Sequence, residues 1–342
     1  MPRTRPSRTP PTPRAEHQTP ACTEHLTTVR AEQLTTARAD HHPPARAEHP
    51  SPTQAAQLTT VRADHHPPAR AKQPPTIHAG PPATPITCRT PLQPATLVPM
   101  ETSEFIRVLD REGRALAAAA EAAGVDSAVP TCPEWRVREL VEHTGVVHRW
   151  ARAYVTEGIA ERRPLALVPR LDGPGLLDWF REGHRLLVDT LTAAPPDTAC
   201  FAFLPAPSPL AFWARRQAHE TAVHRYDAES ATGAEPAPVA TDFAVDGIDE
   251  LLRGFHARER SRVRTEEPHL LRVRATDADD AVWTVRLSPG PPVTVRADAA
   301  DADCELAGPA RTLYLALWNR RPFPEVRGDG TLATLWTERS AI

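Results

Sequence analysis

Residues Ala214–Glu229 read ARRQAHETAVHRYDAE. They contain neither Gly nor Pro and follow Pro209, so they belong to one helix running from about Pro209 to Glu229. Within it, His219-Glu-Thr-Ala-Val-His224 falls one residue outside the HExxH zinc motif, whose second His would occupy the position of Val223. At about 100° per residue, His219 and His224 diverge by about 140° and cannot share a helix face. Glu220 and His224, four residues apart, stand one turn above each other, where a carboxylate and an imidazole can grip one cation. Two donors do not make a site, and helix bundles supply the remainder from a facing helix.

Working outward, three more helical segments precede this one. Phe105, Val108, Leu109, Glu112 and Leu116 keep helical spacing from Glu101 to Gly124, a C-terminal cap of the glycine type. A second helix carries Val137, Leu140, Val141, Thr144, Val147 and Ala151 to about Tyr154, with Pro133 expected in its first turn. A third spans about Gly175 to Ala194. Four amphipathic helices without a convincing strand among them argue an antiparallel bundle, and a further helix around Phe243–His256 reads as a connector. On the second helix His143 shares the apolar side with Leu140 and Val147, whereas His148 diverges from it. An inward His143 facing Glu220 and His224 makes a His₂Glu set with open positions, the way catalytic zinc sites are built. The same spacing equally allows a satisfied core histidine beside a helix ion pair.

After Pro268 the period changes to two. Leu271, Val273 and Ala275 alternate with Arg272 and Arg274, and Val282–Leu287 and Val293–Arg296 continue as strands. A helix around Pro309–Arg320 and a last one at Thr331–Thr337 complete a small α+β unit, residues 268–342, behind the bundle of residues 100–257.

Residues 1–99 are different in kind. They hold 20 of the 39 prolines and 8 of the 15 histidines, and no Phe, Trp or Tyr. With so little large apolar surface to bury, they are expected to be a disordered tail. The tail contains a 24-residue duplication, Leu34–Ala47 (LTTARADHHPPARA) and Leu58–Ala71 (LTTVRADHHPPARA). Its pairs His41-His42 and His65-His66 offer at most adventitious metal binding. The tail carries 11 basic against 6 acidic residues, net +5, and the remainder 29 against 37, net −8. An acidic folded part argues against nucleic-acid binding. No apolar run reaches the roughly 18 residues of a membrane span, and no secretory signal begins the chain. Five scattered cysteines, with no CxxC pair, suggest a reduced cytoplasmic protein.

Two stretches carry a family resemblance: Val129–Trp150, VPTCPEWRVRELVEHTGVVHRW, and Ala214–Glu229. In this order they resemble the two signatures of the mycothiol-dependent maleylpyruvate isomerase family, from about Met100 to the end of the chain. The resemblance implies a DinB-like metal-binding four-helix bundle and, more loosely, a sterol-carrier-like α+β C-terminal domain. It assigns the metal to the His eight residues after the Trp, here His143 after Trp135, and to Glu220 and His224. It further implies a divalent metal, most simply Zn²⁺, and mycothiol as thiol cosubstrate for isomerisation or thiol transfer on a small electrophilic molecule; the protein itself is expected to be a monomer. An Arg of the family's C-terminal domain is associated with the active site, and Arg320, beside Arg321 after Trp318, is the candidate for holding a carboxylate. Asp227 reads as an acceptor orienting a ligand His or as a helix-end carboxylate, Cys132 as a thiolate ligand or a small buried residue. Arg216 and His219 read as a solvated or ion-paired face. Family members begin near Met100, so translation is expected to start there. A metal-binding regulatory module without catalysis and a carrier of small ligands are the other functions compatible with the residues.

Overall fold

Phe105, Val108, Leu109 and Leu116 are buried on one side of the first helix, α1 (Thr102–Ala123). Glu104 accepts from the Glu101 backbone N–H at 2.9 Å at its start, and Gly124, with φ +82°, ends it as expected. The computed structural model describes residues 100–165, 171, 173–299 and 301–342. The N-terminal segment expected to be disordered, with its duplication and its His pairs, lies outside the described residues.

Three further helices follow: α2 (Val137–Glu157), α3 (Pro174–Ala193) and α4 (Pro209–Ser230). Both α1 and α2 pack against α3 and α4, which leaves α1/α2 and α3/α4 as the diagonals of a four-helix bundle. His143 on α2 therefore faces the metal-motif helix as a direct neighbour. Pro133 does not sit in the first turn of α2. Residues 129–135 close a tight loop instead, in which Cys132 N donates to Val129 O at 3.0 Å, Trp135 N to Cys132 O at 2.8 Å and Val129 N to Trp135 O at 3.0 Å. The helix starts only where Glu139 can accept from the Arg136 backbone N–H, at 2.8 Å.

The expectation of four amphipathic helices fails for α4. It is buried on every side, with Arg216, Gln217, His219, His224, Arg225 and Asp227 all inside. Buried polar groups must be paired or they cost several kcal/mol, so α4 recruits partners from every element around it. Helix α5 (Thr241–Asp249) runs on through a π-helical turn, Glu250–Phe255, that carries Glu250 into the interior.

The second part is a five-stranded mixed sheet in the order β3-β2-β1-β4-β5. Its strands are β1 (His269–Ala275), β2 (Val282–Leu287), β3 (Val293–Val295), β4 (Cys304–Gly308) and β5 (Glu325–Gly328). β1 pairs antiparallel with β2 and parallel with β4; β2–β3 and β4–β5 are antiparallel. Leu271, Val273 and Ala275 are buried, as their alternation required. β4 and β5 are not read from the sequence: Cys304–Gly308 is buried throughout and does not alternate, and Glu325–Gly328 is a four-residue exposed edge. Helices α6 (Ala310–Leu317) and α7 (Gly330–Arg339) complete the α+β fold. One continuous apolar cluster runs from Phe105, Tyr154 and Trp213 in the bundle to Trp283, Tyr314 and Trp336 in the sheet unit. No helix among the described residues is long and apolar enough to cross a membrane.

Candidate metal centre

His143, from α2, and Glu220 and His224, one turn apart on α4, meet between the two helices. His143 Nε2 and His224 Nε2 lie 3.1 Å and 3.3 Å from the same oxygen, Glu220 Oε1. One ligand atom from each of the three residues falls within 4.8 Å of the others. Ligands about 2.1 Å from a tetrahedral cation are about 3.4 Å apart, so this spacing fits one ion between them. Two imidazoles and a carboxylate are also the mixed N/O set that leaves a coordination position open in catalytic zinc sites. The imidazole rings stand edge to face with centroids 5.0 Å apart. Glu220 is the most open of the three, its side chain 16% exposed against 3% for His143 and 8% for His224, so the approach lies on its side.

The surroundings fix each donor. His224 Nδ1 lies 3.0 Å from Asp227 Oδ2, which holds the proton on Nδ1 and leaves the Nε2 lone pair toward Glu220. Asp227 is fully buried. Arg320 donates to it from Nε at 3.0 Å and from Nη2 at 2.9 Å, and Thr131 Oγ1 donates to it at 2.6 Å. The other oxygen of Glu220 accepts from Arg216 Nη2 at 3.4 Å, and Arg216 Nη1 is paired with buried Glu250. Trp135 lies over both imidazoles, its ring 5.2 Å from His143 and 5.9 Å from His224. The tight 129–135 loop thus delivers both Thr131 and Trp135.

The electrostatics follow the pairing. Burial works to raise the Glu220 carboxyl, but hydrogen bonding to His143 and His224 and the charge of Arg216 hold it well below the ordinary carboxylate range. Burial likewise opposes ionised Asp227, and Arg320 and His224 overcome it. For His224 burial favours the neutral ring, and the carboxylates of Asp227 and Glu220 outweigh it and raise the pKa.

His143, Glu220 and His224 thus come together, and Asp227 is the acceptor on a member of that cluster. The carboxylate that Arg320 holds is Asp227 of the same chain, while Arg321 pairs with Glu235 at 2.9 Å. Arg216 and His219 are ion-paired but not solvated: His219 is fully buried, 2.8 Å from Asp246 Oδ1 and 3.2 Å from the Tyr314 hydroxyl. His148 points elsewhere, 2.8 Å from Thr221 Oγ1. Cys132 is buried outside the donor cluster, its Sγ 3.7 Å from Asp227 Oδ2; Cys200 and Cys304 are free. Nothing in the sequence spacing signals the contacts that Glu250, Trp135 and Thr131 make around the donors. Only the i, i+3 spacing of His224 and Asp227 signalled the supporting contacts, because the other partners are distant in sequence.

Residues 106–229 match the model of the mycothiol maleylpyruvate isomerase N-terminal domain, and residues 242–336 that of the MDMPI C-terminal domain. No curated protein and no solved structure matches the chain. With both domains present in order, and the donor cluster seated in the first of them, the chain belongs to the mycothiol maleylpyruvate isomerase family.

Proposed function

We propose that His143, Glu220 and His224 hold a divalent cation, most simply Zn²⁺, and that the protein uses a low-molecular-weight thiol, mycothiol in the family's name, to act on a small electrophile. The observation that carries this reading is the convergence of both Nε2 atoms on one Glu220 oxygen while the Nδ1 of His224 is tied to Asp227. When bound, such a cation supplies the Lewis acidity that deprotonates a thiol, making the thiolate nucleophile available at neutral pH.

The chain supplies orientation and exclusion of water. Asp227 fixes the tautomer of His224, and Arg320 and Thr131 fix Asp227. Arg216 occupies one Glu220 oxygen and leaves the other to the centre. Trp135 closes the apolar side. In the reaction proposed, sulfur adds to an activated double bond, the resulting single bond rotates, and sulfur departs with the electron pair of its C–S bond; stopping after addition gives thiol transfer. The test is incubation of chelated and Zn²⁺-restored protein with mycothiol and a panel of activated alkenes. The expected result is metal-dependent loss of the thiol or change of alkene geometry. Equal rates with and without metal would refute the reading.

A further inference from the structure

Among the described residues, the buried N–H donors without an acceptor include three that lie close together: Nε of Arg216, Nε of Arg258 and the indole Nε1 of Trp318. They surround one aromatic ring. The guanidinium carbons of Arg216 and Arg258 lie 5.0 Å and 5.1 Å from the centroid of Phe255, and the Trp318 ring is 6.0 Å from it. Arg216 also sits 5.5 Å from the Trp318 ring, and Arg258 lies 5.6 Å from Phe203. Buried donors are ordinarily satisfied, and each that is not costs on the order of 1–3 kcal/mol. Here all three orphans are donors, so what they lack is an acceptor.

The charge balance points the same way. Arg216 is met by Glu250 and Glu220. No carboxylate among the described residues pairs with Arg258, which stands among positive charges: burial first, then Arg260, Arg162 and Arg216, lowers its pKa to about 10. The aromatic faces offset part of that charge. We propose that Arg258, Trp318 and Arg216 form an anion subsite for a small carboxylate, with Phe203 and Phe255 flanking its apolar body. Guanidinium donors match the planar two-oxygen geometry of a carboxylate. Arg216 also holds Glu220, so the subsite and the metal centre share a residue. Assigning the carboxylate to the electrophilic substrate rests on the proposed function; the subsite itself does not.

The experiment titrates benzoate into the full chain, as purified and after chelation, following the Arg Nε–H and Trp indole N–H resonances by NMR. The expected result is saturable movement of the Arg216, Arg258 and Trp318 signals in both forms. Affinity should fall at least tenfold in Arg258→Gln and in Trp318→Phe, and stay unchanged in Arg286→Gln on the exposed side of the sheet. Unmoved signals, binding confined to the metal-containing form, or tighter binding of inorganic phosphate than of benzoate would each overturn the proposal. Because the chelated arm contains neither metal nor thiol, failure of the metal reading does not decide it.

Discussion

His224 Nδ1 stands 3.0 Å from Asp227 Oδ2, one turn further along the same helix. An imidazole so held presents its other nitrogen as a lone pair, which is what a metal requires. Asp227→Asn keeps the shape and removes the charge. Metal affinity should fall about 10- to 100-fold, measured by competition with a chromophoric chelator. An affinity unchanged within twofold would show that Asp227 does not act through His224.

Arg320 spans the two parts of the chain to reach that carboxylate, with its side chain 6% exposed and that of Asp227 fully buried. Removing one partner of a buried pair typically costs about 3–5 kcal/mol, and Thr131 and His224 still hold Asp227, so Arg320→Met should cost about 3 kcal/mol in denaturant titration. Arg320→Lys should recover only part of it, because a single ammonium cannot donate as the guanidinium does from Nε and Nη2. Wild-type stability in Arg320→Met would contradict the role assigned to it.

Glu112 lay on the apolar stripe of α1 when read by spacing, an odd place for a carboxylate. It accepts from Arg225 Nε at 2.7 Å, both side chains being buried, and so ties α1 to α4. Glu112→Ala should destabilise by about 3 kcal/mol by leaving Arg225 short of a partner. The double variant Glu112→Leu with Arg225→Met should lie closer to wild type than Glu112→Ala does. If both proteins melted like the wild type, the pair would be energetically idle.

These contacts mark what the sequence could show. Helix bounds followed from apolar spacing and glycine caps, and the donor cluster from an i, i+4 pair facing an inward His143. Arg216, His219 and Arg225 were harder, because α4 mixes polar and apolar residues on all sides. Their partners Glu250, Asp246, Tyr314 and Glu112 come from three other helices and a π-helical turn, and spacing within one helix cannot show them. Arg320 was found through resemblance alone, and its partner is visible only in the folded chain.

His256 gives a pH signature. It is fully buried, its Nδ1 3.0 Å from Ser261 Oγ and its Nε2 without a partner among the described residues. Burial, then the charge of Arg258, lowers its pKa from 6.5 to about 3. The unfolded chain therefore binds a proton that the folded chain refuses between about pH 6.5 and 3, and stability is lost as pH falls through that window. The contribution is on the order of 4 kcal/mol across it. His256→Gln should flatten this part of the stability curve, measured by urea titration at several pH values. Parallel curves for the two proteins would contradict it.

The central claim is tested most directly by metal content. Elemental analysis of the purified protein should find about one divalent ion per chain. His224→Ala, His143→Ala and Glu220→Ala should each lose most of it, whereas His148→Ala and His219→Ala should keep it. A stoichiometric ion surviving in folded His224→Ala would contradict the account.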